Sequence, residues 1–131
     1  HGRIKAALLG IAAQGEKHET IVGWSLGGQL LVRAVAAGMV RPKRLVLVAT
    51  PYQFVATPRI PLGMKRELYD KFRDNYAANP ERTLRKAWAL IHKGDTQAAQ
   101  VEAYLKKLDP QQVLKIDWLH WLEMLGGFSF D

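Results

Sequence analysis

Ile4, Leu8, Ile11 and Ala12 recur at helical spacing near the start of the chain, and Gly15 stands where a helix C-cap glycine belongs. The spacing predicts a first helix over about residues 2–14. The pattern then shortens: Glu19-Thr20-Ile21-Val22 is a β-branched run that leads straight into Gly23 and reads as a strand. From Leu26 to Ala37 the helical period returns, with Leu30, Leu31, Ala34 and Val35 expected to face inward and Gln29 and Arg33 outward. Gly38 ends that helix and Pro42 closes the connection. Arg44-Leu45-Val46-Leu47-Val48-Ala49-Thr50 follows as a near-continuous apolar run, the pattern of a parallel strand buried on both faces. Strand, helix and strand at this spacing predict a right-handed βαβ unit.

After Pro51 the character changes. Pro51, Pro58 and Pro61 punctuate a loop, and no further strand-like run appears. Met64, Leu68 and Phe72 mark one amphipathic helix. Asn79-Pro80 opens another cleanly, with Asn as N-cap and Pro at the first helical position, and this helix carries Leu84, Trp88 and Ile91 on one stripe before stopping at Gly94. Asp95 can cap a third helix through about Leu108, and Asp109-Pro110 repeats the start signal for a fourth that ends at Gly126-Gly127. The second half therefore reads as three or four amphipathic helices without a sheet.

Composition narrows the class. The chain has 131 residues, is 48% hydrophobic and 24% charged, and so can bury a real core. It has no cysteine, which removes disulfides and thiol chemistry and agrees with a reducing cytoplasm. No apolar run reaches membrane-spanning length, and the apolar positions after Arg3 and Lys5 are broken by Gly10 and Gln14, so neither a membrane span nor a signal peptide is expected. Lys and Arg outnumber acids seven to two in residues 1–50 and nine to four in 51–93, whereas acids lead six to three in 94–131. The excess suits a solvated basic surface or a docking face for an acidic partner. No nucleic-acid-binding signature accompanies it.

The chemistry concentrates between the first strand and its helix, at Gly23-Trp24-Ser25-Leu26-Gly27-Gly28. This is G-x-S-x-G placed directly after a strand and opening a helix, the context that gives the motif meaning. A serine on so tight a turn is held in a strained backbone that projects its hydroxyl clear of the sheet. Glycine at the positions two before and two after avoids collisions with neighbouring backbone, and Gly28 lets the helix pack close to the strand. The helix N-terminus supplies partial positive charge, and the Leu26 N–H can donate to the oxyanion formed when Ser25 attacks a carbonyl. A phosphate cradle is the rival reading, but the P-loop lysine and G-x-G-x-x-G spacing are both missing. A merely structural turn is the other.

Val22 to Gly28, followed by Leu45-Val46-Leu47-Val48-Ala49-Thr50-Pro51, resembles the middle of an α/β-hydrolase. More narrowly, it resembles the carboxylesterases of biotin synthesis that demethylate pimeloyl-acyl-carrier-protein methyl ester. The likeness extends to Arg82-Thr83-Leu84 with Ala89-Leu90, to Leu105-Lys106-Lys107 and to the Trp118-to-Leu125 helix. It implies a partial α/β-hydrolase fold, with parallel strands and flanking helices in residues 1–51 and an all-helical cap in 52–131. It also implies Ser25 as nucleophile, Trp24 bordering the acyl cleft, and Arg82 and Lys86 (with Arg85 beside them) receiving an acidic acyl carrier protein. Ala99 and Ala103 stand where the resembled enzymes carry further basic positions. No cofactor and no metal are implied.

In this superfamily the triad acid and histidine follow later strands. His18 lies at the far end of the strand that delivers Ser25, roughly 20 Å away at about 3.3 Å per residue. His92 and His120 fall on cap helices, His1-Gly2 precedes a helix, Asp117 and Glu123 are helix-surface positions, and Asp131 precedes the strand that would deliver the acid. The chain is therefore expected to be an internal segment of a longer esterase and inactive alone. Two rivals remain: a hydrolase of another small ester, amide or carbon–carbon bond, or an inactive interaction unit whose open strand edges pair or swap with another copy.

Overall fold

The computed structural model describes residues 2–107 and 118–129. Among the described residues eight elements follow one another: α1 (Gly2–Gly15), β1 (Thr20–Trp24), α2 (Leu26–Ala36), β2 (Arg44–Val48), α3 (Arg66–Ala78), α4 (Pro80–Ile91), α5 (Ala98–Lys107) and α6 (Trp118–Gly127). They fall into two compact units, residues 1–54 with 128–131, and residues 55–127. The expected start of the last helix at Asp109-Pro110 lies outside the described residues.

In the first unit β1 and β2 pair in parallel, with Thr20 opposite Arg44 and Trp24 opposite Val48. α2 is the crossover between them. Its inner face buries Leu31 and Ala34, which pack with Val40 and with the half-buried Leu8, Ile11 and Ile21. Burial of this apolar surface holds the α1–α2–β1 layer together. Gly15 is needed here for closeness rather than for its backbone freedom, since a Cβ would run into Val40.

Two inward–outward assignments are corrected. Gln29, expected on the outer face of α2, is fully buried, because its carboxamide finds an acceptor in the backbone of Pro51, 22 residues further on. Arg33 is half-buried, with its guanidinium 4.6 Å from the centroid of the Phe128 ring. β2 differs from its pattern more strongly: every residue is exposed, Val48 to 47%. Its apolar run suits a strand covered on both faces, yet among the described residues the sheet has two strands only, so nothing supplies the covering layers. β2 also ends at Val48 rather than Thr50, because Ala49 turns the chain with φ 47°.

The second unit is helical, as the spacing predicts. Val55 and Met64 form a parallel bridge that closes the proline-punctuated loop, with Gly63 so close to Ala56 that a side chain has no room. In α3 the buried stripe is Tyr69 and Tyr76, whereas Leu68, expected to face inward, is 59% exposed. Tyr69 wins the inward position because its ring lies on the bare backbone of Gly126 while its hydroxyl donates to the Leu122 carbonyl at 2.8 Å. Burial raises the Tyr69 hydroxyl above the ordinary tyrosine range, which keeps it protonated as a donor.

α4 starts as its sequence signals. Asn79 Oδ1 accepts from the Arg82 N–H at 3.0 Å, Pro80 takes the first turn, and the Thr83 hydroxyl donates back to the Asn79 carbonyl. Asn79→Ala should therefore lower stability by about 1 kcal/mol in denaturant unfolding. Asp95 makes a comparable turn, its carboxylate accepting from the Gln97 N–H at 2.8 Å, but α5 begins only at Ala98.

Candidate active site

β1 delivers Trp24 to its C-terminal end, and the chain must reverse at once to start α2. Ser25 takes that turn with φ 51° and ψ −124°, a conformation that side chains other than glycine rarely adopt. Its backbone is held from both sides. The Ser25 N–H donates to the Val48 carbonyl at 2.9 Å, and the Ser25 carbonyl accepts from Gly28 and Gln29 at 3.0 and 3.2 Å. Serine at a helix start usually spends its hydroxyl on capping. Here no side-chain cap bond forms, so the Ser25 hydroxyl is not committed to α2. The residue is half-buried.

Leu26 occupies the first position of α2, where a helix leaves its N–H without an intrahelical acceptor. The glycines around the serine are not equivalent. A Cβ on Gly23 would lie 2.5 Å from the Gly28 Cα, and one on Gly28 would collide with the Thr50 side chain. A Cβ on Gly27 would meet nothing within 4 Å. The expectation that Gly27 avoids a neighbouring backbone is thus corrected: among the described residues, the close approach is between Gly23 and Gly28.

Trp24 is 72% exposed and lines, with Gln14, His18, Ile21 and Gly27, an open groove of about 450 Å³. His18 precedes β1 and Ser25 follows it, so the two stand at opposite ends of that strand. In the second unit, Arg82, Arg85 and Lys86 are all exposed on α4, and Arg85 pairs with Glu81 one turn back. Ala99 and Ala103 are exposed on α5. Between α4 and α5 lies a cleft of about 440 Å³ lined by Trp88, His92, Leu105 and Lys106, into which sequence spacing alone would not have placed His92. The Lys106 ammonium bonded to Glu102, with a smaller contribution from His92, holds the Glu102 carboxyl below its ordinary range.

A serine in a strained turn between a parallel strand and a helix is the arrangement in which α/β-hydrolases present their nucleophile. The similarity of this chain to known proteins points to the same class. It is 34% identical over 121 residues to the biotin biosynthesis bifunctional protein BioHC of Teredinibacter turnerae, covering 82% of the chain and 21% of that protein. It is 35% identical over 88 residues to the pimeloyl-acyl-carrier-protein methyl ester esterase of Nitrosomonas europaea, covering 67% of the chain and 35% of that protein. A further BioHC, from Cellvibrio japonicus, is 27% identical over 94% of the chain and 24% of its own length. The chain thus resembles the pimeloyl-acyl-carrier-protein methyl ester esterases of biotin synthesis, as its elbow and cap motifs imply, and spans about a third or less of the relatives' length. No family model matches it.

Proposed function

We propose that this chain carries the nucleophile of a serine carboxylesterase that hydrolyses pimeloyl-acyl-carrier-protein methyl ester. The observation that carries the reading is Ser25 itself: φ 51° at a strand-to-helix turn, with its hydroxyl not used as a cap. In the reaction the Ser25 oxygen attacks the ester carbonyl carbon while a general base takes its proton. The Leu26 N–H donates to the oxyanion of the tetrahedral intermediate. Collapse breaks the bond to the methoxy oxygen, which leaves as methanol with that proton, and an acyl-serine ester remains. Water attacks the acyl carbon in the second half, returning the Ser25 hydroxyl and releasing the acid. The base and its carboxylate partner are assigned to no residue of this chain. Trp24, exposed beside the nucleophile, is the residue we assign to the acyl cleft.

Arg82, Lys86 and Arg85 are the proposed receiving face for an acidic carrier protein. Arg82 and Lys86 are four apart on α4 and both exposed, so they share one helix face. Exposed charges of this kind steer encounter and tune affinity more than they stabilise a fold. Reversing both charges in the full-length gene product should lower turnover of the carrier-bound ester roughly tenfold, with a small free methyl ester turned over within about twofold of wild type. Equal losses on the two substrates, or none, would remove the carrier-protein assignment. Exposed Ala99 and Ala103, in place of further cations, favour a second reading in which the substrate is another small ester or amide. The test of the nucleophile is covalent: a fluorophosphonate should label the gene product, and the labelled peptide should be the one containing Ser25.

A further inference from the structure

We propose that Gln29 is a positioning residue for the Ser25 nucleophile, its buried carboxamide locking the turn after β2 against the first turn of α2. The proposal rests on the assignment of Ser25 above and adds what keeps that serine in its strained conformation.

Register places two strained residues side by side. Trp24 is opposite Val48 in the parallel pair, so Ser25 and Ala49 are the next residues on the two strands, and they have φ 51° and 47°. Both conformations are unfavourable for a residue with a side chain and persist only where the surroundings over-determine them. They are also linked, because the Ser25 N–H is anchored on the carbonyl of Val48, the residue immediately before Ala49. Any relaxation of the turn after β2 therefore moves the anchor of the nucleophile.

Two of the contacts that hold that turn come from the residues just after Ser25. Thr50 packs against the bare Cα of Gly28. Gln29 Nε2 donates to the Pro51 carbonyl at 2.8 Å. Pro51 has no N–H to offer, so its carbonyl is what a polar clamp can grip, and the nitrogen of the amide must be the atom that faces it. Gln29 is fully buried, and its Oε1 is buried with no hydrogen-bond partner among the described residues. A half-satisfied buried amide is a poor device for stability, since its own Oε1 stays stranded while a single bond to the Pro51 carbonyl is gained. Its value is positional: it ties residue 51, two beyond Ala49, to residue 29, whose own N–H bonds the Ser25 carbonyl.

The test compares the full-length gene product with Gln29→Leu, Gln29→Glu and Ser25→Ala, reading fluorophosphonate labelling rate, kcat, KM and thermal midpoint. Gln29→Leu, which exchanges the stranded Oε1 for a Pro51 carbonyl without its donor, should lower kcat and the labelling rate about tenfold or more, leave KM within twofold, and change the thermal midpoint little. In Gln29→Glu the introduced carboxyl cannot donate to the Pro51 carbonyl when ionised, whereas the protonated acid can. The labelling rate of Gln29→Glu relative to wild type should therefore rise as pH falls, a trend that Gln29→Leu should lack. A wild-type labelling rate in Gln29→Leu, a rate lost only in step with the thermal midpoint, or a flat pH ratio in Gln29→Glu would each overturn the proposal. Gln29→Met carries the same comparison if the leucine variant does not fold. Ser25→Ala separates the two levels: if it still labels, the nucleophile assignment fails and this inference with it, whereas silent Ser25→Ala beside a fast Gln29→Leu removes this inference alone.

Discussion

Ser25→Ala in the full-length gene product should abolish fluorophosphonate labelling and reduce ester turnover by roughly 10⁴-fold or more, with the thermal midpoint nearly unchanged or raised. The size follows from the chemistry. Without the hydroxyl there is no acyl-enzyme, and what remains is the contribution of substrate binding and of oxyanion donors such as the Leu26 N–H. Little stability should be lost, because the Ser25 hydroxyl makes no capping bond to α2 and the conformation it occupies is one that favours glycine. On the proposed reading, in which no residue of these 131 serves as the base, the 131-residue chain alone should label weakly or not at all. Labelling at a residue other than Ser25, or turnover surviving the substitution, would end the esterase reading.

The second large effect separates two glycines that a motif treats alike. Gly23→Ala should destabilise the chain by about 3 kcal/mol, because its Cβ would sit 2.5 Å from the Gly28 Cα and backbone cannot yield as a flexible side chain can. α2 would be levered off β1, and the 2.9 Å bond from the Ser25 N–H to Val48 would be strained with it, so labelling of the gene product should fall as well. Gly27→Ala should do the opposite, stabilising the chain by up to about 1 kcal/mol, since its Cβ enters open space and alanine is the better helix residue. Denaturant unfolding of the two variants of the 131-residue chain decides it. Equal destabilisation would show that the close approach around the serine is drawn wrongly.

Much of this protein is legible in its sequence. Helical spacing, C-cap glycines and the Asn79-Pro80 start are local signals, each set by steric rules acting within a few residues, and they determined the order and type of the elements. The same locality placed Ser25 at the turn between a strand and a helix, because G-x-S-x-G is read within a single short window. The resemblance to biotin-pathway esterases likewise came from contiguous stretches, and the relatives bear it out.

What only the tertiary structure decided lies at a distance. That Gln29 turns inward depends on a carbonyl 22 residues away, and no window over α2 contains it. Tyr69 displaces Leu68 from the inner face of α3 because Gly126 and the Leu122 carbonyl, 53 residues on, receive its ring and hydroxyl. Gly23 and Gly27 look alike in sequence and differ in space for the same reason. Local sterics wrote the elements and marked the serine, while long-range packing chose the inward faces and braced the turn on which Ser25 stands.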